Sequence, residues 1–416
     1  MNYMQTKSRE HTATETPEAV QSDVAIPRSP LSFIPLKGAA ANARDWIGVV
    51  LGIYVLITAV KVIGSGFKIA TGDQAEALFS FASNPIVALM IGLLATALTQ
   101  SSSTTTSIVV GLVAGGLPMA VAIPMLMGAN LGTTMTNTLV SLGMARDKDA
   151  FRRAFAAATV HDFFNLMAVL ILLPLELMFG ILEKSSNWMA THTDGSDGGI
   201  VAAVFSGIGS FVKTITTPLA DLFKGGIGSL GLNDVWTGVL LIVLGVVLIL
   251  AVINNIGKLL KVLMVGKAKD VLHNAIGRGP ITGIFSGALM TIMVQSSSTT
   301  TSLAVPLAGS GTFTLRQIYP FTIGANIGTT ITALIAAFGF TGAEGTLAMQ
   351  AAFVHLLFNV FATLIIFGLP FLRGLPPRGA EMLARVSAER KIWAVVWTVG
   401  VFLVVPFLLI LATNLF

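Results

Sequence analysis

Gln100-Ser101-Ser102-Ser103-Thr104-Thr105-Thr106-Ser107 decides how this chain is read, because the same octapeptide returns at Gln295-Ser296-Ser297-Ser298-Thr299-Thr300-Thr301-Ser302. Each copy interrupts an apolar run: 84–98 and 108–116 flank the first, 281–294 and 303–311 the second. Polar side chains facing acyl chains leave hydrogen-bonding groups without partners, so these must line a cavity or pack against protein. An apolar piece too short to cross, a polar break and a second short piece predict a helical hairpin that dips into a membrane and returns.

The composition supports a membrane. Hydrophobic residues make up 54% of the chain and charged residues 11%, with mean hydropathy +0.82, whereas soluble domains carry about 25% charged residues. Cysteine is absent, which excludes disulfides, thiolate metal sites and a cysteine nucleophile, and the five histidines have no metal-ligand spacing. A net charge of +5 fits basic residues gathered on the cytoplasmic side better than nucleic-acid binding. Residues 1–45, rich in Thr, Ser, Pro and Glu, read as a disordered cytoplasmic tail and not as a cleaved signal peptide.

Residues 46–64 are apolar apart from Lys61 and long enough to span. Asp73 and Glu76 read as solvated loop charges. Residues 118–142 form the next crossing, with Gly128-Ala129-Asn130-Leu131-Gly132-Thr133-Thr134 in its middle. Two glycines, an asparagine and two threonines are poor helix formers, so an unwound break is expected there. Gly324-Ala325-Asn326-Ile327-Gly328-Thr329-Thr330 repeats that motif, and His161-Asp162-Phe163-Phe164-Asn165 returns as His355-Leu356-Leu357-Phe358-Asn359. All three pairs are separated by 194 to 196 residues. The chain therefore divides into a first membrane repeat (46–182), an extracytoplasmic loop (183–235), a second repeat (236–370), a basic cytoplasmic loop (371–391) and a terminal transmembrane helix (392–416).

Lysines and arginines set the orientation. Placing the tail, 143–153 with Arg146, Lys148, Arg152 and Arg153, 257–278 with Lys258, Lys261, Lys267, Lys269 and Arg278, and 372–391 in the cytoplasm collects nearly all of them. The first hairpin then dips in from outside and the second from inside. This predicts an all-α membrane protein with inverted-topology repeats, each holding a re-entrant hairpin and a broken transmembrane helix, the plan of secondary transporters with a site near the midplane. The apolar piece 200–212 is the weak point, since its crossing would change the parity.

Helix N-termini at the serines suit an anion, and serine and threonine hydroxyls add rotatable donors for a tetrahedral oxyanion. Carbonyls at the breaks and the Asn130 and Asn326 amides are hard oxygen ligands for Na⁺; Thr133, Thr134, Thr329 and Thr330 suit either ion. No arginine or lysine lies in these cores, so co-bound cations are the expected compensation for the anion. His161 and His355 read as packed residues, and Asp162 as a partner of Arg152 or Arg153.

These motifs, with Phe151-Arg152-Arg153-Ala154-Phe155 leading into His161, resemble the type II sodium-dependent phosphate cotransporters over 48–369. The middle loop lacks cysteines and Asn-x-Ser/Thr acceptors, which resembles a bacterial member more than an animal one. The resemblance implies inward phosphate transport driven by Na⁺ across the cell membrane, with the N-terminus cytoplasmic. Ser101, Ser102, Ser103, Thr104, Ser296, Ser297, Ser298, Thr299, Thr133 and Thr329 are assigned on this basis to the substrate. Gln100, Gln295, Asn130, Asn326, Thr134 and Thr330 are assigned to Na⁺, the co-transported ion. Inorganic phosphate, sodium and the bilayer are the partners; the oligomeric state stays open, a homo-oligomer included. A dicarboxylate carrier would recruit a bidentate Arg, a serine-nucleophile enzyme would need a base beside its Ser, and a channel filter would repeat in parallel.

Overall fold

The computed structural model describes residues 28–72, 84–193, 199–275 and 278–413, without the side chains of 134, 201 and 265–275. The first part of the tail, Asp73, Glu76 and the side chains of Thr134, Lys267 and Lys269 lie outside the described residues. Every regular element among those described is helical.

Helix α1 (Ala39–Thr71) starts before residue 46 because its first turns are anchored. Asp45 is buried and accepts the Ser29 hydroxyl and Arg44 Nε, each at 2.8 Å, while Arg44 also reaches the Ile34 carbonyl at 2.7 Å. Residues 28–38 are thus folded against the helix and not loose.

Helices α2 (Pro85–Thr99) and α3 (Ser102–Ala114) form the first hairpin. Asn84 caps α2 by accepting Ile86 N–H at 2.9 Å, with proline at the first helical position where a missing N–H costs nothing. Next come α4 (Met119–Leu131), a 3₁₀ turn at Gly132–Thr134 and α5 (Met135–Leu142), so the expected crossing 118–142 is two helices joined by a tightened turn. Helix α6 is Lys148–Phe179 and α7 is Ile181–Thr191.

The stretch 183–235 is mostly helix, not loop: α7 reaches into it and α8 (Ile200–Gly228) fills most of the rest. Ala202, Gly209, Thr216 and Ala220 form its buried stripe, and Lys61 of α1 donates to its Thr217 at 2.5 Å. Helix α9 (Asp234–Ala275) runs antiparallel to α1: Gly238 packs on Gly66, Gly245 on Ile63 and Ile256 on Gly52.

The second half follows the plan of the first. Helices α10 (Pro280–Val294) and α11 (Ser297–Gly309) form a hairpin, and α12 (Leu315–Ala337) lies alongside α10. Helix α13 (Gly342–Ala362) runs into a π-helical turn, Thr363–Phe367, then α14 (Leu375–Glu389) and α15 (Ile392–Thr413) close the chain. Six described helices are long and apolar enough to cross a membrane: Ala39–Thr71, Lys148–Phe179, Asp234–Met264, Leu315–Ala337, Gly342–Phe367 and Ile392–Thr413.

The glycine motifs do not unwind as expected. Helix α12 is continuous through Gly324–Thr330, and the first copy departs only into its 3₁₀ turn. The glycines are there for close approach. A Cβ at Gly128 would sit 1.9 Å from the Leu89 carbonyl oxygen of α2, and one at Gly324 1.9 Å from that of Ile284 in α10. Small residues at such crossings let membrane helices pack backbone to backbone, which offsets their weak intrinsic helix propensity.

Candidate functional site

At both hairpin tips the chain reverses at a glutamine in the left-handed region, Gln100 with φ 55° and Gln295 with φ 53°. Among the described residues these alone, apart from glycine, have positive φ, a conformation costing about 1–2 kcal/mol. Each is held by the neighbouring helix: Thr136 donates to Gln100 Oε1 at 3.2 Å and Thr332 to Gln295 Oε1 at 3.0 Å. Ser101 and Ser296 then cap α3 and α11, accepting Thr104 N–H and Thr299 N–H at 3.2 Å.

Both tips line one cavity of about 270 Å³, made by Gln100–Ser103, Gln295–Thr299 and one face of α9 with Ile253, Asn254, Gly257, Lys258 and Lys261. The hydroxyls of Ser102, Ser103, Ser297 and Ser298 bond no other described residue, so their donors and acceptors are available to a ligand. Two helix N-termini converge there, each carrying partial positive charge. The expectation of no basic residue at the site is corrected. Helix α9 continues well past residue 256 and brings Lys258 and Lys261 onto the tips.

The other assigned residues lie elsewhere. Thr104 is buried against the Ser101 hydroxyl at 2.9 Å. The Thr133, Thr329 and Thr330 hydroxyls bond the Asn130, Ala325 and Ile327 carbonyls of their own segments. Asn130 and Asn326 are buried in a crossed network. Asn326 Nδ2 donates to Asn165 Oδ1 at 2.8 Å, and its Oδ1 lies 2.5 Å from His161 Nε2. In mirror fashion Asn130 Nδ2 donates to Asn359 Oδ1 at 2.7 Å, with its Oδ1 3.3 Å from His355 Nε2. Asn165 Nδ2 also donates to the Asn130 carbonyl at 2.9 Å, tying the two crossings together.

Some groups are placed differently from the sequence expectation. Asp162 is buried and accepts the Trp397 indole N–H at 3.0 Å, while Arg153 donates to the Gly309 carbonyl and Arg152 lies 3.3 Å from Asp149. Asn137 of α5 and Thr301 of α11 join the two halves at 2.8 Å. Asn137 sits in an unremarkable polar run, and only its distance past the glycine motif could have singled it out.

Six described helices of crossing length and apolarity, with a shared polar cavity between two duplicated hairpins, define a multi-pass membrane protein. The chain belongs to the Na⁺/Pi-cotransporter family, whose sequence model matches residues 55–190 and 236–374. It is 33% identical over 428 residues to sodium-dependent phosphate transport protein 2A of Rattus norvegicus, covering 85% of this chain and 65% of that one. To protein 2B of Homo sapiens it is 32% identical over 441 residues, covering 85% and 63%. The chain thus spans slightly under two thirds of the length of these relatives. No solved structure matches it.

Proposed function

We propose that this chain is a symporter that imports inorganic phosphate with Na⁺ by alternating access. In this reading 46–182 and 236–370 are inverted repeats, their hairpins are re-entrant, and the tips meet near the midplane of the cell membrane with the N-terminus in the cytoplasm. The observation that carries it is the single cavity in which serine hydroxyls without protein partners face one another across two helix N-termini. Phosphate is tetrahedral, so donors converging from two sides suit it. Ser101–Ser103 and Ser296–Ser298 hold it, with Thr299 at the rim. Na⁺ is carried as a second substrate beside Gln100 and Gln295, whose amide oxygens lie at the tips. The names of the relatives, which are sodium-dependent phosphate transport proteins, support the same substrate pair.

The test is uptake of labelled phosphate into proteoliposomes holding the full chain. Uptake should follow an inward Na⁺ gradient and collapse when K⁺ replaces Na⁺. Equal uptake in K⁺ would remove the coupling, and sulfate or succinate competing as well as phosphate would overturn the substrate.

A further inference from the structure

We propose that Lys258 and Lys261 form a second, cationic subsite at the mouth of the tip cavity, through which a phosphate anion passes to or from the serines. The inference rests on the phosphate reading above. Asn254, Lys258 and Lys261 fall on one face of α9 by their four- and three-residue spacing, and all three line the cavity with both tips. No acidic side chain is among the described residues that line it, and no ion pair among those residues engages either lysine. Two ammonium groups and two helix N-termini therefore present one sign of charge to a small concave space, which concentrates anions there.

The plainer alternative is a pair of lysines reaching for lipid headgroups at a helix end. Further along the same face, Leu240, Val243 and Val247 are exposed, as suits acyl chains. The character then changes a full turn before the first lysine, at Asn254, an exposed amide that acyl chains cannot solvate. Asn254 instead lines the polar tip cavity, and the lysines share its face. Lysine also suits transit. It is a mobile point charge without the bidentate geometry of arginine, so it attracts phosphate without fixing it.

The subsite changes how charge is balanced. At the mouth the protein supplies its own cationic charge, in addition to any Na⁺ bound with phosphate at the serines. The lysines act by direct charge contact with the anion, and the test reads charge. In proteoliposomes, K258Q/K261Q should raise the phosphate KM by about tenfold, the loss of two partly solvated charge contacts. Vmax and the Na⁺ concentration for half-maximal uptake should stay within twofold. K258R/K261R should restore the KM, and added choline chloride should raise the KM of wild type more than that of the glutamine variant. An unchanged KM in K258Q/K261Q, or a raised KM that arginine does not restore, overturns the subsite. If the glutamine variant does not fold, wild type decides: in Na⁺, inorganic phosphate should slow acetylation of Lys258 and Lys261, read by mass spectrometry, but not that of Lys148. Equal labelling with and without phosphate overturns the subsite. Wild type that transports no phosphate refutes the function itself, a different outcome.

Discussion

Two regions are built from duplicated polar motifs, and they do opposite things with them. At the tip cavity the hydroxyls of Ser102, Ser103, Ser297 and Ser298 are left without protein partners and face open space. At the crossed network, Asn130 and Asn326 reach into the other half of the chain, and both ends of each amide are engaged. The difference lies in reach. A serine at the start of a helix cannot extend past its own turn, so its hydroxyl serves the helix or a ligand. An asparagine flanked by glycines lies where two helices nearly touch, so its amide spans the gap to a third. The first region is thus suited to exchanging a ligand and the second to joining halves.

The sharpest way to break this contrast is Ser102→Ala with Ser297→Ala. A hydrogen bond to a charged group contributes about 1.5–3 kcal/mol, so losing both should cut phosphate kcat/KM by about a hundredfold or more. The melting temperature should hardly move, because neither hydroxyl has a protein partner to lose. Wild-type kinetics in the double variant would remove the serines from the site. A large fall in melting temperature would make them structural.

The network should answer in the opposite way, and unequally in its two crossings. Interhelical hydrogen bonds in membranes contribute about 0.6 kcal/mol on average and up to about 1.7. Asn326→Ala loses two short contacts, at 2.8 and 2.5 Å, and takes the Nδ2 donor away from the buried Asn165 Oδ1. A loss of about 2 kcal/mol is expected. Asn130→Ala loses one short contact at 2.7 Å and one long one at 3.3 Å, so about 1 kcal/mol is expected. Thermal unfolding of the two variants in detergent measures the order directly. Asn130→Ala proving the more damaging would reverse the assigned asymmetry.

The helical class and the hairpin tips were legible because each is local, and the duplication because each copy is a short motif that repeats without change of order. An apolar run of about hairpin length and an N-capping serine are both visible within a few turns. What was not legible depends on distance or on length. Lys258 and Lys261 read as a loop because apolarity fades near residue 256, yet α9 stays helical to Ala275 and carries them to the cavity. The glycine motifs read as breaks because propensity alone penalises glycine. The carbonyls of Leu89 and Ile284, which make those glycines necessary, belong to other helices. In the same way the Trp397 indole that reaches Asp162 lies over two hundred residues downstream. The segment 183–235 read as loop because its buried stripe is spaced by alanine, glycine and threonine, which carry little hydropathy signal.

The smallest expected effect lies where the two regions are mechanically linked. Gln295 turns the second tip in a conformation that glutamine rarely adopts, and Thr332 of α12 holds it through a 3.0 Å hydrogen bond. Helix α12 also carries Asn326, so one rigid element runs from the network to the tip. Thr332→Val keeps the shape and β-branching while deleting the donor. Gln295 retains its bond to the Ile292 carbonyl at 2.8 Å, so the turn should persist but wander. A net hydrogen bond is worth about 0.5–1.5 kcal/mol, and part of that should appear as a rise of about threefold in phosphate KM, with little change in melting temperature. Thr136→Val is the matched control, since its bond to Gln100 is longer at 3.2 Å and more exposed, so its effect should be smaller still. If both variants leave KM untouched, the tips hold their geometry without α12, and the network and the cavity are neighbours with no mechanical link between them.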